Sequence, residues 1–419
     1  MATNRDFNDM LNEHLDYDLM RAEYLKRDWL LNRVERDDSW KGGTIPVPFR
    51  GGRASSVKFG SLVTSADIGA SQYVRGTISA YKEIWGAIKF NHADIIQHNG
   101  KVNEDSFLKL LPGEMEDFVD YIKERASLQM LNGYALKATV DGDASGNLTT
   151  DHPERLTLGE HVWIDDDNSS PVEGYVRTIN METGVVTFYD ARTAGSVVNL
   201  SGYTTAQNAK VWFDGTQPGT ALGFLSLRSM LLSAANGGDS TIHGKTKTAY
   251  PYTQALNLSG ASITEANILE AVFNRQVTAR NRCSGNPRDL VASYKNGAAI
   301  LKCVEATKGA YNVVQGSRKA SPYGWEEVEI GGPKGVLKLV QVQEMEDDVM
   351  LMLSNKGIKF HSNGFFQKRV GPDGMSYFTE RATTGYTYTV DIGCFGELSV
   401  YEPSAHAIIH SINFSLSES

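Results

Sequence analysis

The chain has 419 residues, room for two or three domains of ordinary size. With 41% hydrophobic and 22% charged residues it has the composition of a folded protein, which excludes disorder along its whole length. Its 41 basic and 50 acidic residues give a net charge of −9, which excludes a strongly basic nucleic-acid binder, because phosphate contacts need clustered Lys and Arg.

In chain order, residues 5–37 read as helix: Leu11, Leu15, Leu19, Leu25, Trp29 and Leu30 recur near helical spacing among dense charges. The apolar stripe is thin, so the segment needs a surface to dock on. In Ile45-Pro46-Val47-Pro48, prolines two apart predict an extended strand at an edge, where a missing N–H does no harm. Residues 51–90 read as a long ribbon, with strands at 57–59 and 73–78 and a small polar tip at 65–71. An isolated hairpin is marginal in water, so this ribbon also needs a partner surface.

The spacing predicts a helix over 113–132, with Met115, Phe118, Val119, Ile122 and Ala126 as its buried stripe and Gly133 as its stop. Residues 139–214 change character. Short strands at 161–164, 174–179, 185–189, 197–200 and 210–213, with a tight turn at 180–184, predict a small β-barrel inserted in the chain. Mixed α/β structure follows. Helices are predicted at 220–235, at 263–281 with Thr264 as cap, and at 295–306. Strands are predicted at 288–293, 336–342, 349–353, 357–360, 384–394, 396–402 and 405–412.

The chemistry-bearing patterns are weak. Asp141-Gly142-Asp143-Ala144-Ser145-Gly146 matches half of a calcium loop, but the twelfth position is His152 rather than Glu, and a plain turn is the better reading. Asp165-Asp166-Asp167-Asn168 reads as a solvated hairpin tip. Gly331-Gly332-Pro333-Lys334-Gly335 leads into a strand, whereas a phosphate loop leads into a helix, so it reads as a turn. Nine histidines include no HxH pair and no HExxH motif of the zinc-protease type, and no nucleophile elbow is present. Cys283, Cys303 and Cys394 are far apart, which argues against a disulfide framework or a zinc site. Cys283 lies beside Arg280 and Arg282 but reads as a structural thiol. The expectation is a soluble, intracellular protein without catalytic residues, metal or cofactor. No apolar run has the length of a membrane span, and the charged N-terminus is no signal peptide.

This order of parts resembles the tailed-bacteriophage major capsid proteins with the Hong Kong 97-type shell fold. Trp40-Lys41-Gly42-Gly43 and Ile45-Pro46-Val47-Pro48 look like the end of the family's N-arm, and 289–293 with the following helix looks like its axial strand–helix unit. The run from Leu398 through Tyr401, Pro403 and His406 to Ile409 resembles the closing peripheral strands. The resemblance implies an α+β Hong Kong 97-type fold with an N-arm at 1–50, an E-loop at 51–90 and a peripheral domain at 91–138 carrying the spine helix. It further implies an inserted acidic β-barrel at 139–214, an axial domain with connections at 215–383 and closing peripheral strands at 384–419.

It implies a non-enzymatic shell protein that forms hexamers and pentamers of an icosahedral head, assembled in the bacterial cytoplasm and ending in the virion. Its partners would be itself, a separate scaffolding protein, a portal, a decoration protein, and packaged double-stranded DNA held without sequence-specific contacts. Trp29, Trp40, Phe59, Tyr73 and Arg75 are the implied subunit-contact candidates. Two alternatives stay open: an encapsulin-like compartment shell, and a β-rich hydrolase or glycan-binding protein that uses Trp163, Tyr175, Tyr189 and Trp212. Those aromatics alternate along strands, which reads them as barrel core. Residues 139–214 hold 12 acidic and 4 basic residues, so nearly all the net charge belongs to the predicted insert.

Overall fold

The computed structural model describes residues 29–37, 40, 43–50, 73–78, 82–91, 104–133, 136–166, 170–207, 209–214, 223–306, 319–320, 326–332, 335–354, 357–362, 366–368, 378–382 and 385–415. The chain divides into two units: a continuous one, Gly133–Gly223, and a discontinuous body made of Met1–Asn132 and Phe224–Ser419. The structure is mixed α/β.

One strand organises the first sheet of the body. Gly385–Val400 has 16 residues, about 50 Å at strand rise. Along one side it pairs with Lys82–Asn91. Along the other it takes three short strands in succession: Phe378–Ala382, Phe366–Lys368 and Ile358–His361. The spacing predicts two strands here, broken near 395; the structure runs straight through. The glycines are not turns. A Cβ on Gly393 would stand 2.8 Å from the Trp85 ring, and one on Gly396 would stand 2.3 Å from the Phe360 ring. Glycine is needed because aromatic rings lie against the backbone.

Helix Glu104–Leu131 begins well ahead of the predicted start at 113 and stops close to the predicted end. Pro112 and Gly113, which suggest a start, lie inside it; a proline removes one helix bond, and a 28-residue helix keeps the rest of its ladder. Val119, Ile122, Ala126 and Met130 are buried on one face. The helix crosses the first sheet at Gly86, where a Cβ would meet the Phe118 ring at 2.6 Å.

The second sheet has the order Leu256–Ser259, Ala407–His410, Met350–Leu353, Asp289–Ala292, Gly335–Gln341, Glu326–Gly332, Lys319–Ala320. Both faces are covered. Leu290, Ala292, Met350 and Met352 face helices Ile268–Arg282 and Tyr294–Ala306, packing on Val272, Ala299 and Ile300. Val291, Val340, Leu351 and Ile408 face the other way, into a core shared with Val390, Ile392, Leu398 and Phe360 of the first sheet. A sheet buried on both sides needs apolar residues at every position.

Two predicted helices are shorter than their patterns. Of 220–235, the described α-helix is Leu227–Leu231, followed by a single 3-10 turn at Ala234–Asn236; the Ser226 hydroxyl caps the α-helix, accepting from the Ser229 N–H at 3.0 Å. Thr264 is not the cap of the next helix. Asn267 holds that position, and its side-chain oxygen turns back to accept from the Thr264 N–H at 2.7 Å.

The unit Gly133–Gly223 is a closed six-stranded antiparallel barrel in the order Lys210–Phe213, Leu136–Val140, Asn147–Thr150, Val185–Tyr189, Val172–Ile179, His161–Asp165. Leu136, Leu148, Val162, Ile164, Val176, Val186, Phe188 and Val211 fill it. The predicted strand at 197–200 is a single bridge, Tyr189 to Val197. Asp141 and Asp143 tie loops together. Asp141 accepts from the Thr205 N–H at 2.6 Å and Asp143 from the Asn147 N–H at 2.9 Å, and both carboxyls are lowered by those bonds. Asp166, expected on a solvated tip, is buried, while 167–169 lie outside the described residues.

Candidate assembly surfaces

The N-terminal segment lies on the body's own sheets. Trp29, Leu30 and Leu31 of the short helix Trp29–Arg33 are buried, and Arg33 pairs with the buried carboxylate of Asp289. The predicted helix does not continue to 37. Glu35–Asp37 is a strand that adds in parallel to Ile358–His361, because the sheet edge offers backbone partners that a helix could not use.

A clasp closes over this strand. The Ser362 N–H donates to the Asp37 carbonyl at 2.9 Å, and His361 Nδ1 lies 3.1 Å from the Asp37 carboxylate. On its other side, His361 Nε2 meets the Ser399 hydroxyl at 3.0 Å and the Tyr401 hydroxyl at 3.1 Å. The Trp40 ring stands edge-on to His361 at 6.5 Å.

The ribbon comes next. Ile45–Arg50 pairs antiparallel with Tyr73–Ile78, so 73–78 has the proline strand as a neighbour; its expected ribbon mate at 57–59 lies outside the described residues. The Thr77 N–H donates to the His243 carbonyl at 3.0 Å, away from its cross-strand neighbour Pro46. Pro46 and Pro48 therefore occupy the non-hydrogen-bonded positions, where no N–H is wanted. Val47 and Phe49 point inward and are fully buried.

His243 anchors that buried face. It sits at the tip of the hairpin Thr241–Ile242 and Lys245–Thr246, with φ of +47° at His243 and +75° at Gly244. Two successive left-handed residues make the tight turn that usually carries Asn-Gly. The imidazole stacks on Phe49 at 5.9 Å, and its Nε2 accepts from the Val400 N–H at 3.2 Å. Burial pulls its pKa down to about 4, so the ring is neutral at pH 7. Gly76 lets the ribbon lie this close, since a Cβ there would meet the Phe49 ring at 2.6 Å and the His243 carbonyl at 2.9 Å.

The five contact candidates are thus not one patch. Trp29 and Trp40 are buried in the body's own core, Phe59 lies outside the described residues, and Tyr73 and Arg75 share the exposed face of the ribbon, Tyr73 at 72%. His243 and His361, which hold the ribbon and the N-terminal strand to the body, carry no sequence motif. Only a His-Gly pair in an I′ turn position hints at the first. Cys283 is a structural thiol, pushed up to about 11 by burial and donating to the His406 carbonyl.

On the barrel, one reading is corrected. Trp163, Tyr175, Tyr189 and Trp212 are not its core. They are half-buried on its outer face, because Val162, Ile164, Val211 and Phe188 take the inward positions of the same strands. No described helix is long and apolar enough to cross a membrane.

No family model and no curated protein matches the chain. The chain is similar in structure to several solved tailed-phage capsids and related particles. The capsid of cyanophage A-1(L) matches at 11% identity and TM-score 0.49, covering 92% of this chain and 93% of that one. The capsid of an empty GTA particle matches at 9% and 0.43, covering 92% and 90%. An encapsulin complex from Synechococcus elongatus matches at 9% and 0.39, covering 94% and 91%.

Proposed function

We propose that the chain is a shell protein, the major capsid protein of a tailed double-stranded DNA bacteriophage. One observation carries the reading. Two six-residue strands, Ile45–Arg50 and Tyr73–Ile78, form a ribbon anchored on the body, yet they are joined by residues 51–72, where a hairpin needs about two to five. A connection of that length exceeds what closing the two strands requires, and we read it as the E-loop. The N-terminal strand, added to a sheet edge and clasped by His361, fits the end of an N-arm fixed to its own body.

The reading assigns 1–50 as N-arm, 51–90 as E-loop, Glu104–Leu131 as spine helix, the second sheet with its two helices as axial domain, and the barrel as an insert. Hexamers and pentamers would form around the axial domains, with Tyr73 and Arg75 at subunit contacts. Closed shells set one chain in slightly different environments, which suits long arms on a rigid body and many modest contacts acting together. Scaffolding, portal and decoration proteins and packaged DNA would be the partners, and the virion the destination. The body's 36 basic and 38 acidic residues outside 133–223 nearly cancel, which suits a container wall that does not hold DNA tightly.

The test is to replace 51–72 with Asn-Gly, the natural two-residue hairpin turn. The variant should keep its circular dichroism and melting profile but form no particles in negative-stain electron microscopy. Normal particles from it would remove the E-loop assignment.

A further inference from the structure

We propose that the outer face of the barrel around His161, Trp163 and Tyr175 is a docking site for a cationic segment of a partner protein, a stretch bearing exposed Lys or Arg. Burial alternates along the strand His161–Asp165, and its apolar inward residues leave His161 and Trp163 outside. Register places His161 beside Tyr175 and Tyr175 beside Tyr189, a row of three rings across three strands. His161 lies 4.8 Å from Tyr175 and 6.2 Å from Trp163.

Carboxylates frame these rings. Asp214 accepts from the Trp163 indole N–H at 3.2 Å and stands 3.3 Å from His161 Nδ1. Glu173, the cross-strand neighbour of Trp163, stands 3.7 Å from His161 Nε2. Asp214 and Glu173 remain 63% and 60% exposed, so their charge faces solvent.

Charge complementarity names the occupant. The unit Gly133–Gly223 has 12 acidic and 5 basic residues, and a guanidinium or ammonium placed over an aromatic face and between two carboxylates gains from both. The same row already shows the pattern once: the Arg177 guanidinium lies over the Tyr189 ring, 5.7 Å from its centre. Among the described residues no cation covers Trp163 or Tyr175. A neutral glycan would use the rings alone and has no need of the surrounding charge, so the cationic segment is the occupant that the charge pattern favours.

The experiment is isothermal titration of the full-length protein with a capped hexapeptide of alternating Arg and Gly at low salt. The double variant Asp214→Asn, Glu173→Gln should bind it about five- to tenfold more weakly. Glu182→Gln, on the distant 180–184 turn, should change affinity less than about twofold. A peptide with Gln in place of Arg should not bind, which tests the charge without altering the protein. The proposal is overturned if the wild-type protein does not bind the Arg peptide, if the Gln peptide binds equally, or if the double variant and Glu182→Gln lose the same affinity. Binding of chitohexaose that exceeds that of the Arg peptide, and is unchanged in the double variant, would replace the cationic partner with a glycan.

Discussion

The barrel and the body solve the same problem, burying a sheet, in opposite ways. The barrel closes six short strands on one another, so each strand has a dry side and a wet side. The body stacks two sheets and several helices, so strands such as Asp289–Ala292 are buried on both faces. Titratable groups follow the same division. In the barrel, hydrogen bonds at loops and rims lower Asp141, Asp143 and Glu154, and burial comes first only for Tyr203 among its shifted groups. The body encloses His243, His406 and Glu397, whose shifts come first from burial. A fold with two-sided burial stores its electrostatic cost inside, whereas the barrel keeps most of its charge where water can reach it, with Asp166 and Arg155 as buried exceptions.

The largest effects should separate the two cores. Phe188→Ala in the barrel and Leu351→Ala in the body each remove a fully buried side chain, at a cost of about 3 kcal/mol. Scanning calorimetry should show each variant lowering a different transition. A common shift of a single transition would erase the distinction between the two cores.

Next come the close approaches within the body. Gly396→Ala and Gly86→Ala would each drive a methyl into an aromatic ring, at Phe360 and Phe118 respectively. Each should cost about 1–3 kcal/mol, read as a lower urea midpoint. Gly202→Ala in the barrel, with nothing within 4 Å of the added carbon, should move the midpoint little.

The pH response should also divide. His243 and His406 are held near 4 by burial, against an ordinary 6.5. The unfolded chain takes up protons that the folded chain refuses, so body stability is full above about pH 6.5 and is lost as pH falls toward 4. Glu397, raised by burial to about 7 from 4.5, has the opposite sign: the folded chain keeps a proton that the unfolded one releases, so stability declines as pH rises through that window. The barrel's lowered carboxyls contribute above the ordinary carboxylate range and lose their effect only as pH falls below it. Urea midpoints measured across the span from about pH 4 to about pH 8 should therefore climb more steeply with pH in Glu397→Gln, which removes the opposing group. They should climb less steeply in His406→Gln, and an unchanged slope there would contradict the assignment. The smallest effect should be Arg177→Ala, about 0.5 kcal/mol from a single cation–aromatic contact.

The barrel was the more legible region. The short β-branched and aromatic runs 185–189 and 210–213, the first of them bounded by a turn at 180–184, match their strands to the residue. Phase was harder. In Val162, Trp163 and Ile164 every residue is apolar, so the pattern does not say that the tryptophan faces out, and the larger ring looks like core. In the body, the 16-residue strand read as two, since Gly393 and Gly396 resemble turn glycines until Trp85 and Phe360 are seen lying on them. The anchoring histidines were invisible: His243 and His361 are lone residues far apart in sequence, and only the fold gives them Phe49, Val400 and Asp37 as partners.

The central claim, that this chain builds shells, is most directly tested by negative-stain electron microscopy of the purified full-length protein, with sedimentation velocity as a size check. Rings of five or six copies, or closed particles, are the predicted result. A monodisperse 46.0 kDa monomer at every concentration would contradict it.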